Sequence, residues 1–528
     1  MRATSGEAEA APSAAAAAAA ATATTGTSVL RGSLWNTASR LIPQAYSLGI
    51  SVAAARFLGP DGMGRQSFIA FIELSSAQLF TGGLSLALMR NIGEALGAGQ
   101  GRAVRGLLRW AWGVQVIGAL IGAAALIVPG ALGATPRAAW ALAGVAAAMA
   151  IMHTVPSAVL IGAQRWREAS IAGLVTGAVA VPSVIAVLAA GGGIAGMFGV
   201  EAAVGALNLI WTGVLAQRTT RQVAPESGPY EQLRRKTIRF TAGTSLSVIV
   251  TYIVWKRSEF FFLSHYSNNT EIAFYSIAFA GMAALTMIPE TLATTMAPAF
   301  ATLFGAGESE RIRTGFGRAL RLMSLATLPL TAAALALGPR AIEVVYGSSY
   351  NGAGSALRLL SLGFPLVPLV SVSNALLLGI GRIRAPVVAG IAAAVVNIAL
   401  DFALIPHHAA NGAAVANTVA QATMSTWLIV YGWRRVGGVR LEAGALLRTA
   451  VASAAGGAAA AGVVAALGGL AGLVLGLAAG LVVFAALARL LKILPADDAA
   501  WLAQALGARF GGVLVAIGRR SGAEGGRR

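Results

Sequence analysis

Apolar segments as long as a bilayer is thick recur along this chain from residue 32 to residue 492. A helix needs roughly 20 apolar residues to cross the hydrocarbon core of a membrane. Of the 528 residues, 57% are hydrophobic and only 11% are charged, whereas a soluble domain carries roughly 25% charged residues. The sequence therefore predicts an all-α polytopic membrane protein.

Charged residues, glycine and proline divide the apolar sequence into separate spans. This division predicts about 14 transmembrane helices, with ends uncertain by roughly two to four residues. The predicted spans are 33–57, 66–89, 107–128, 138–161, 169–189, 194–215, 239–263, 272–300, 317–338, 355–379, 386–405, 411–432, 446–465 and 468–491.

The loops between these spans differ strongly in charge. If successive spans alternate in direction, 22 Lys and Arg residues fall on one set of loops and 4 on the other. Lys and Arg accumulate in cytoplasmic loops, so both termini are predicted to be cytoplasmic and the membrane to be the bacterial inner membrane. The formal charge of +19 has the same explanation, and no nucleic-acid partner is expected.

Several kinds of chemistry have no residues to support them. The chain contains no cysteine, which excludes disulfides, thiolate metal sites and a Cys nucleophile. No Ser-His-Asp or HExxH arrangement is present, and His407 and His408 have no neighbouring carboxylate. We therefore expect no catalytic residue, no metal site and no resident cofactor, which argues against an enzyme.

The first six spans resemble the second six. A Gly-Ala-Gly motif follows span two at 97–99 and span eight at 305–307, an offset of 208 residues. Two more landmarks recur in the same order at offsets of 217 and 216, namely Leu160 with Leu377 and Gly196 with Gly412. Such repeats form two lobes with the substrate site near the midplane between them.

This repeat predicts the domain organisation. The predicted parts are a disordered cytoplasmic tail at 1–30, an N-terminal six-helix lobe at 31–216, a cytoplasmic linker at 217–238, a C-terminal six-helix lobe at 239–434, two extra transmembrane helices at 435–495, and a cytoplasmic tail at 496–528 for which an interfacial helix is an alternative.

Short motifs in a fixed order resemble those of polysaccharide-export flippases, a family of the multidrug/oligosaccharidyl-lipid/polysaccharide exporter superfamily. The motifs include Gly-Ser-Leu-Trp-Asn at 32–36 and Ala-Arg-Phe-Leu-Gly-Pro at 55–60, and others lie at 272–278, 346–350 and 412–416. The resemblance implies two six-helix lobes plus two C-terminal helices. It also implies a flippase that moves an undecaprenyl-pyrophosphate-linked oligosaccharide across the inner membrane for polysaccharide biosynthesis, including exopolysaccharide.

The resemblance also implies partners and leaves alternatives open. The partners are the polyprenyl-pyrophosphate glycan and membrane lipids, with a polysaccharide polymerase and glycosyltransferases as further candidates. One alternative is a peptidoglycan lipid-precursor flippase, which shares the fold and a cationic cavity. Another is a multidrug/cation antiporter of the same superfamily, which would need an acidic cavity.

Polar residues in the first span form one helical face. Asn36, Arg40 and Gln44 follow one another at four-residue spacing. Ionisable groups inside a bilayer usually face a cavity and mark function, and a guanidinium matches phosphate oxygens bidentately. The sequence predicts that these residues bind the substrate, with Arg40 on its phosphate. The alternative is a packing role for Arg40, paired with a carboxylate.

Span seven carries the other predicted substrate-binding residues, Lys256 and Arg257. They lie about 100° apart on a helix, so only one of them faces the same side as Glu259, and which one faces the cavity is left open. An ion pair between Lys256 and Glu259 at i,i+3 is an equally supported alternative.

Carboxyl groups within the spans are candidates for taking up a coupling ion, either H+ or Na+. A neutral carboxyl in a packed interface is the alternative. Asn397 and Asp401 form a polar pair at i,i+4, and Asn374, Asn417 and Gln421 are predicted to form interhelical hydrogen bonds without binding a ligand. The candidates for ion coupling are Glu73, Glu259, Glu290 and Asp401.

Overall fold

The computed structural model describes residues 14–221, 230–255, 258–382, 384–438, 443–494 and 498, with side chains from Ile42 onward except at 246–255, 288, 289, 291–295 and 298. This part of the chain forms 14 α-helices and two short 3-10 turns. The helices are α1 (Ala14–Gly97), α2 (Gly101–Ala131), α3 (Arg137–Gly162), α4 (Trp166–Ala189), α5 (Gly193–Arg221), α6 (Tyr230–Trp255), α7 (Glu259–Tyr266), α8 (Asn269–Gly305), α9 (Ser309–Tyr346), α10 (Asn351–Gly363), α11 (Val367–Gly379), α12 (Arg384–Arg435), α13 (Ala443–Leu467) and α14 (Gly469–Leu490).

These helices confirm the predicted fold class. Eleven helical segments in the described part of the chain are long and apolar enough to cross a membrane. Helices α1 and α12 each contain an internal break, at Gly59 (φ 68°) and at Ala409 (φ 44°), so each holds two of the predicted spans. The span predicted at 239–263 corresponds to α6 and α7.

Two of the predicted outer connections are therefore reduced to single residues. Gly59 has the positive φ that glycine adopts without a steric penalty, and Pro60 follows it. Ala409 takes a positive φ although it is not glycine, directly after His407 and His408. Each break lets the chain turn back with almost no loop outside the helices.

Helix ends differ from the predictions at two places. Helix α1 begins at Ala14, within the segment 1–30 for which a disordered tail is expected, because the residues there are mostly alanine, the strongest helix former. The predicted linker at 217–238 is also shorter, since α5 continues to Arg221 and α6 starts at Tyr230. Residues 1–13 and 222–229 lie outside the described residues.

The first half of α6 packs against the N-terminal helices. Asn91 Nδ2 of α1 donates to Thr237 Oγ1 of α6 over 2.9 Å, and Lys236 Nζ lies 2.6 Å from Glu94 Oε1. The Arg90 guanidinium stands 5.0 Å from the centre of the Phe240 ring. Helix α7, in contrast, packs on α12 and α8, so the two parts of span seven contact different lobes.

The two C-terminal helices form a close hairpin that packs on α9. A methyl group on Gly456 would lie 2.8 Å from the carbonyl oxygen of Gly480, and one on Gly480 would lie 2.9 Å from the carbonyl oxygen of Gly456. Glycine is required at both positions because the helix backbones touch there. The hairpin also packs along α9.

A buried carboxylate holds the chain beyond α14 against α9. Asp498 is fully buried, and its oxygens accept hydrogen bonds from Arg318 Nε at 2.9 Å and Arg321 Nε at 2.6 Å. Leu494 packs beside Leu325 in the same place. Two guanidinium groups on one carboxylate offset the cost of burying its charge.

Candidate functional site

A cavity of about 590 Å³ lies between the two lobes. Gln44 of α1 lines it from the N-terminal side, and α8, α11 and α12 line it from the C-terminal side. Gln44 stands 15 residues before the break at Gly59, which is roughly 22 Å along a helix. The cavity therefore lies at about the middle of the helices, well away from the end of the molecule that carries Gly59. Its other polar lining residues are Thr286, Glu290, Ser371, Asn374 and Gln421.

The described polar wall of this cavity consists mainly of hydrogen-bond acceptors. Thr286 and Ser371 donate their hydroxyl protons to carbonyl oxygens of their own helices, over 3.0 and 3.1 Å. Asn374 Oδ1 and Gln421 Oε1 are buried and have no hydrogen-bond partner among the described residues. A polar atom without a partner loses its hydration energy on burial, so this wall suits a ligand that supplies N–H or O–H groups.

A cluster of buried polar side chains lies beside the cavity, within the C-terminal lobe. We define the buried cluster as Glu259 of α7 with Asn397, Asp401 and Asn417 of α12, all at most 3% exposed. Glu259 Oε1 accepts from Asn417 Nδ2 at 2.9 Å and from Asn397 Nδ2 at 3.3 Å. Asn397 Nδ2 also lies 3.2 Å from Asp401 Oδ2, which confirms the pair predicted at i,i+4.

The buried cluster combines two carboxyl groups with several unused oxygen acceptors. Glu259 Oε2, Asp401 Oδ1 and Asn397 Oδ1 are all buried without a hydrogen-bond partner in the described part of the chain. Two neighbouring carboxyl groups in an apolar interior cannot both carry an unbalanced negative charge. Either one of them takes up a proton, or a cation binds between them. Carboxylate and amide oxygens are hard ligands, which fit a small alkali cation better than a transition metal.

The lobes are joined at the end of the molecule that carries Gly59. Arg56 donates from Nη2 to Val344 O over 2.6 Å and from Nε to Val345 O over 2.9 Å. These carbonyls belong to the last turn of α9, where no helical donor remains for them. Tyr350 returns a bond to the first lobe, because its hydroxyl donates to Ala55 O over 2.8 Å.

Three further contacts lie at the same junction. Ser51 Oγ lies 3.3 Å from Tyr346 Oη, and Asn269 Nδ2 donates to Asp61 Oδ1 over 2.8 Å. A methyl group on Gly64 would lie 1.7 Å from Asn269 O, so only glycine fits there. We call these three contacts, together with the bonds of Arg56 and Tyr350, the outer seam. The outer seam separates the cavity from this end of the molecule.

The structure brings together some of the predicted site residues and separates others. Gln44 and Glu290 line the cavity, and Glu259 and Asp401 belong to the buried cluster. Glu73 is buried in the second half of α1. It belongs neither to the described lining of the cavity nor to the buried cluster. The side chains of Asn36 and Arg40, and the whole of Lys256 and Arg257, lie outside the described residues.

Two of the three amide side chains predicted to bond between helices have a different place in the structure. Asn417 does bond between helices as predicted, but Gln421 bonds to Asn417 within α12 at 2.7 Å. Gln421 and Asn374 face the cavity, where no ligand contact was expected. Spacing held a partial signal, because Asn417 and Gln421 stand at i,i+4 in the segment that follows Asp401.

Comparisons with known proteins decide the family. The model of the family described as lipid II flippase MurJ matches residues 169–472, which is more than half of the chain. The chain belongs to the lipid II flippase MurJ family. Solved structures share its fold. The first is "Lipid II flippase MurJ, inward closed conformation", with a TM-score of 0.65 and 12% identity over 90% of this chain and 99% of that one.

Other transporters of the MOP superfamily share the fold as well. An inward-facing multidrug resistance MATE family transporter of the MOP superfamily has a TM-score of 0.60 and 15% identity over 75% of this chain and 94% of that one. A MOP superfamily transporter from Pyrococcus furiosus has a TM-score of 0.54 and 15% identity over 78% and 95%. No curated protein matches the sequence.

Membership of the MurJ family confirms several expectations and revises one. The chain is a multi-pass membrane transporter of the predicted superfamily and not an enzyme. Its two-lobed helical fold is the one expected. Within the superfamily, however, the matching family is the lipid II flippases and not the polysaccharide exporters whose short motifs it resembles.

Proposed function

We propose that this protein is a flippase for lipid II, the lipid-linked precursor of peptidoglycan, and that it works by alternating access of its two lobes. The observation that carries the proposal is the polar cavity between Gln44 and the second lobe, closed at one end by the outer seam. A polar head group needs such a cavity, because burial of unpaired polar groups in hydrocarbon costs several kcal/mol for each group, about 2–7 kcal/mol.

The family match favours lipid II over an oligosaccharide that lacks peptide. Lipid II carries sugars and a peptide, so its head group offers many O–H and N–H donors. The acceptor oxygens of Asn374 and Gln421 suit such donors. The polysaccharide interpretation rests on short motifs alone, and the polymerase and glycosyltransferase partners it brings stay predictions.

The pyrophosphate of the substrate needs positive charge, and α1 is its proposed source. Arg40 precedes Gln44 by four residues in the sequence, the spacing at which residues of a helix share a face. Asn36 precedes Arg40 by the same spacing. In this proposal Arg40 binds phosphate oxygens while the polyprenyl chain stays in the lipid. Lys256 and Arg257 are further candidates.

The charge of the loops supports an orientation for this cycle. The side rich in Lys and Arg is proposed to be cytoplasmic, with both termini there. The outer seam then closes the periplasmic side, and the cavity receives the head group from the cytoplasmic leaflet.

The buried cluster is proposed to bind the coupling ion, Na+ or H+. Its two carboxyl groups and free amide oxygen would hold either one. Binding there changes the charge of the C-terminal lobe next to the cavity, which is what coupling between ion and substrate requires. Glu73 and Glu290 remain candidates for the same role.

A second candidate function, a multidrug/cation antiporter, has one observation in its favour. Glu290 is the only ionisable side chain among the described residues that line the cavity, and an acidic wall attracts cationic drugs. The MATE transporter that shares the fold is described as a multidrug resistance protein.

Reconstitution into vesicles distinguishes these functions. Three fluorescent substrates would be offered to the full chain: lipid II, an undecaprenyl-pyrophosphate oligosaccharide without peptide, and the cation ethidium. We expect transport of lipid II, with a loss of at least ten-fold in Arg40→Ala and a smaller loss in Gln44→Leu. Transport of the peptide-free glycolipid alone, or of ethidium alone, would overturn the proposal in favour of the corresponding alternative.

A further inference from the structure

Two amide side chains connect the buried cluster to the cavity. Asn417 Nδ2 donates to Glu259 Oε1 over 2.9 Å, and Asn417 Oδ1 accepts from Gln421 Nε2 over 2.7 Å. Asn417 and Gln421 lie one turn apart on α12, and Gln421 lines the cavity. The path from carboxyl group to cavity thus consists of two consecutive hydrogen bonds.

The direction of each bond in this path depends on Glu259. An ionised carboxylate accepts hydrogen bonds and donates none, so it requires the NH2 group of Asn417. The carbonyl oxygen of Asn417 must then face Gln421, which turns its own NH2 group toward Asn417. Gln421 Oε1 is consequently the end of the amide left for the cavity, and it has no partner among the described residues.

A proton or a cation on Glu259 reverses this requirement. A protonated carboxyl has a donor of its own, and a bound cation is coordinated by oxygen, so in both cases the favoured group on Asn417 becomes its oxygen. A protonated carboxyl also keeps an acceptor oxygen, so neutralisation permits the reversal that ionisation forbids. In the reversed arrangement both amides are turned over, and Gln421 presents N–H donors to the cavity. The other titratable groups of the described residues that face Glu259 are Asp401 and Tyr275.

We infer that Gln421 is a positioning residue that reports the state of Glu259 to the substrate, because it offers the cavity an acceptor or a donor according to whether Glu259 is ionised or neutralised. The inference deepens the proposed function and rests on it. The ligand group whose binding depends on this switch of Gln421 is an anionic oxygen, such as those of a pyrophosphate. Anionic oxygens bind amide N–H groups and are repelled by amide oxygens.

A double-mutant cycle tests the relay. Binding of fluorescent lipid II would be measured in nanodiscs for the wild type, Glu259→Gln, Gln421→Leu and the double variant. We expect Glu259→Gln to tighten binding at least five-fold in the wild-type background and by less than two-fold with Gln421→Leu. Equal effects in the two backgrounds would show that Gln421 transmits nothing.

Thr423→Val provides the matched background. Thr423 lies on the same helix, and its hydroxyl donates only to Val419 O over 2.9 Å. The full effect of Glu259→Gln should persist there. If Glu259→Gln does not fold, Asn417→Leu replaces it, because Asn417 is the central residue of the relay. Its effect on lipid II binding should then likewise be smaller in the Gln421→Leu background than in the wild type.

A second readout does not depend on the substrate. The chain contains no cysteine, so Ser371→Cys places a single thiol on the cavity wall, and the ratio of its reaction rates with cationic and anionic methanethiosulfonates reports local polarity. Glu259→Gln should lower this ratio at least three-fold, but not when Gln421→Leu is present. If lipid II fails to bind while this result holds, the substrate is wrong and the relay stands. If both cycles are additive, the relay is wrong.

Discussion

The outer seam and the buried cluster are both built on hydrogen bonds between distant parts of the chain, but their acceptors differ. In the seam, Arg56 and Tyr350 donate to backbone carbonyls. In the cluster, Asn397 and Asn417 donate to the carboxyl group of Glu259. The acceptors of Arg56 and Tyr350 are part of every peptide chain, whereas the acceptor in the cluster is a group that can bind a proton or a cation.

This difference separates two tasks of a transporter. A backbone carbonyl does not titrate at physiological pH, so in the proposed cycle the bonds of Arg56 and Tyr350 keep the same strength whether or not a coupling ion is bound. In the proposed cycle the carboxyl groups of the cluster change charge when an ion binds, so the cluster is the part that would respond. The bonds of Arg56 and Tyr350 would then supply a constant free energy of closure, against which ion and substrate binding act.

The largest effect is expected from the cluster. Asp401→Asn and Glu259→Leu should each reduce ion-driven lipid II transport at least ten-fold, because each removes a carboxylate that balances the bound cation. The measurement is flipping of fluorescent lipid II in vesicles with and without an ion gradient. Thr449→Val is the control, since this buried hydroxyl bonds only to Ala445 O of its own helix, over 2.8 Å. If ion stimulation of transport stayed complete in Asp401→Asn, the cluster could not be the part that responds to the ion.

A smaller effect is expected from the charged contact of the seam. Arg56→Gln replaces a charged donor at an exposed site by a neutral one that can keep one of the two bonds, so the net loss should be about 1.5 kcal/mol and the seam should open roughly ten-fold more often. The reaction rate of the single thiol in Ser51→Cys measures this opening. Arg313→Gln is the control, because Arg313 pairs with Glu310 on its own helix over 2.7 Å, away from the seam. The increase should be the same with and without Na+; a dependence on Na+ would contradict the assignment.

Removal of the neutral bond in the seam should have a lesser consequence. Tyr350→Phe leaves the Ala55 carbonyl without its donor, which costs about 1–2 kcal/mol. Thiol labelling at Ser51→Cys should rise several-fold, and the thermal midpoint of the purified protein should fall by a few degrees. An unchanged midpoint and labelling rate would show that water replaces the phenol there.

The smallest effect is expected at the opposite end of the molecule. Lys236 and Glu94 join α6 to α1 through an ion pair in which the side chains are 45% and 56% exposed, and solvent-exposed pairs contribute little because water and salt screen them. Lys236→Gln should change the transport rate by less than two-fold, and only at low ionic strength. A large effect that persists in 0.5 M salt would mean that this pair also acts as a gate.

Local sequence patterns predicted the helices well because hydrophobic length is a local property. The span at 138–161 appears as α3, Arg137–Gly162, and the span at 468–491 as α14, Gly469–Leu490. The turn at Gly59 can also be predicted from the sequence, since this glycine is followed by a proline. A turn was also predicted between residues 405 and 411, but not its position at Ala409, because alanine rarely adopts a positive φ.

The site was predictable only in part, for two physical reasons. Polarity inside a membrane pointed to Gln44, Glu259, Glu290 and Asp401, whereas the amides that orient them needed three-dimensional neighbours. Asn417 meets Glu259 across 158 residues of sequence. Backbone acceptors such as Val344 O leave no mark in the sequence at all, so the role of Arg56 in the seam could not be read from its motif. The choice between sugar-lipid substrates likewise depended on motifs too short to separate related families.

The touching backbones of Gly456 and Gly480 have a mechanical consequence. Helices held apart by long side chains can slide as those side chains change rotamer, but two glycines leave nothing between α13 and α14 that can adjust. If the lobes rock as proposed, the hairpin should move as one rigid unit, and Asp498 should move with α9. The surface of the hairpin would then keep a constant shape toward the lipid throughout the cycle, while only the cavity changes shape.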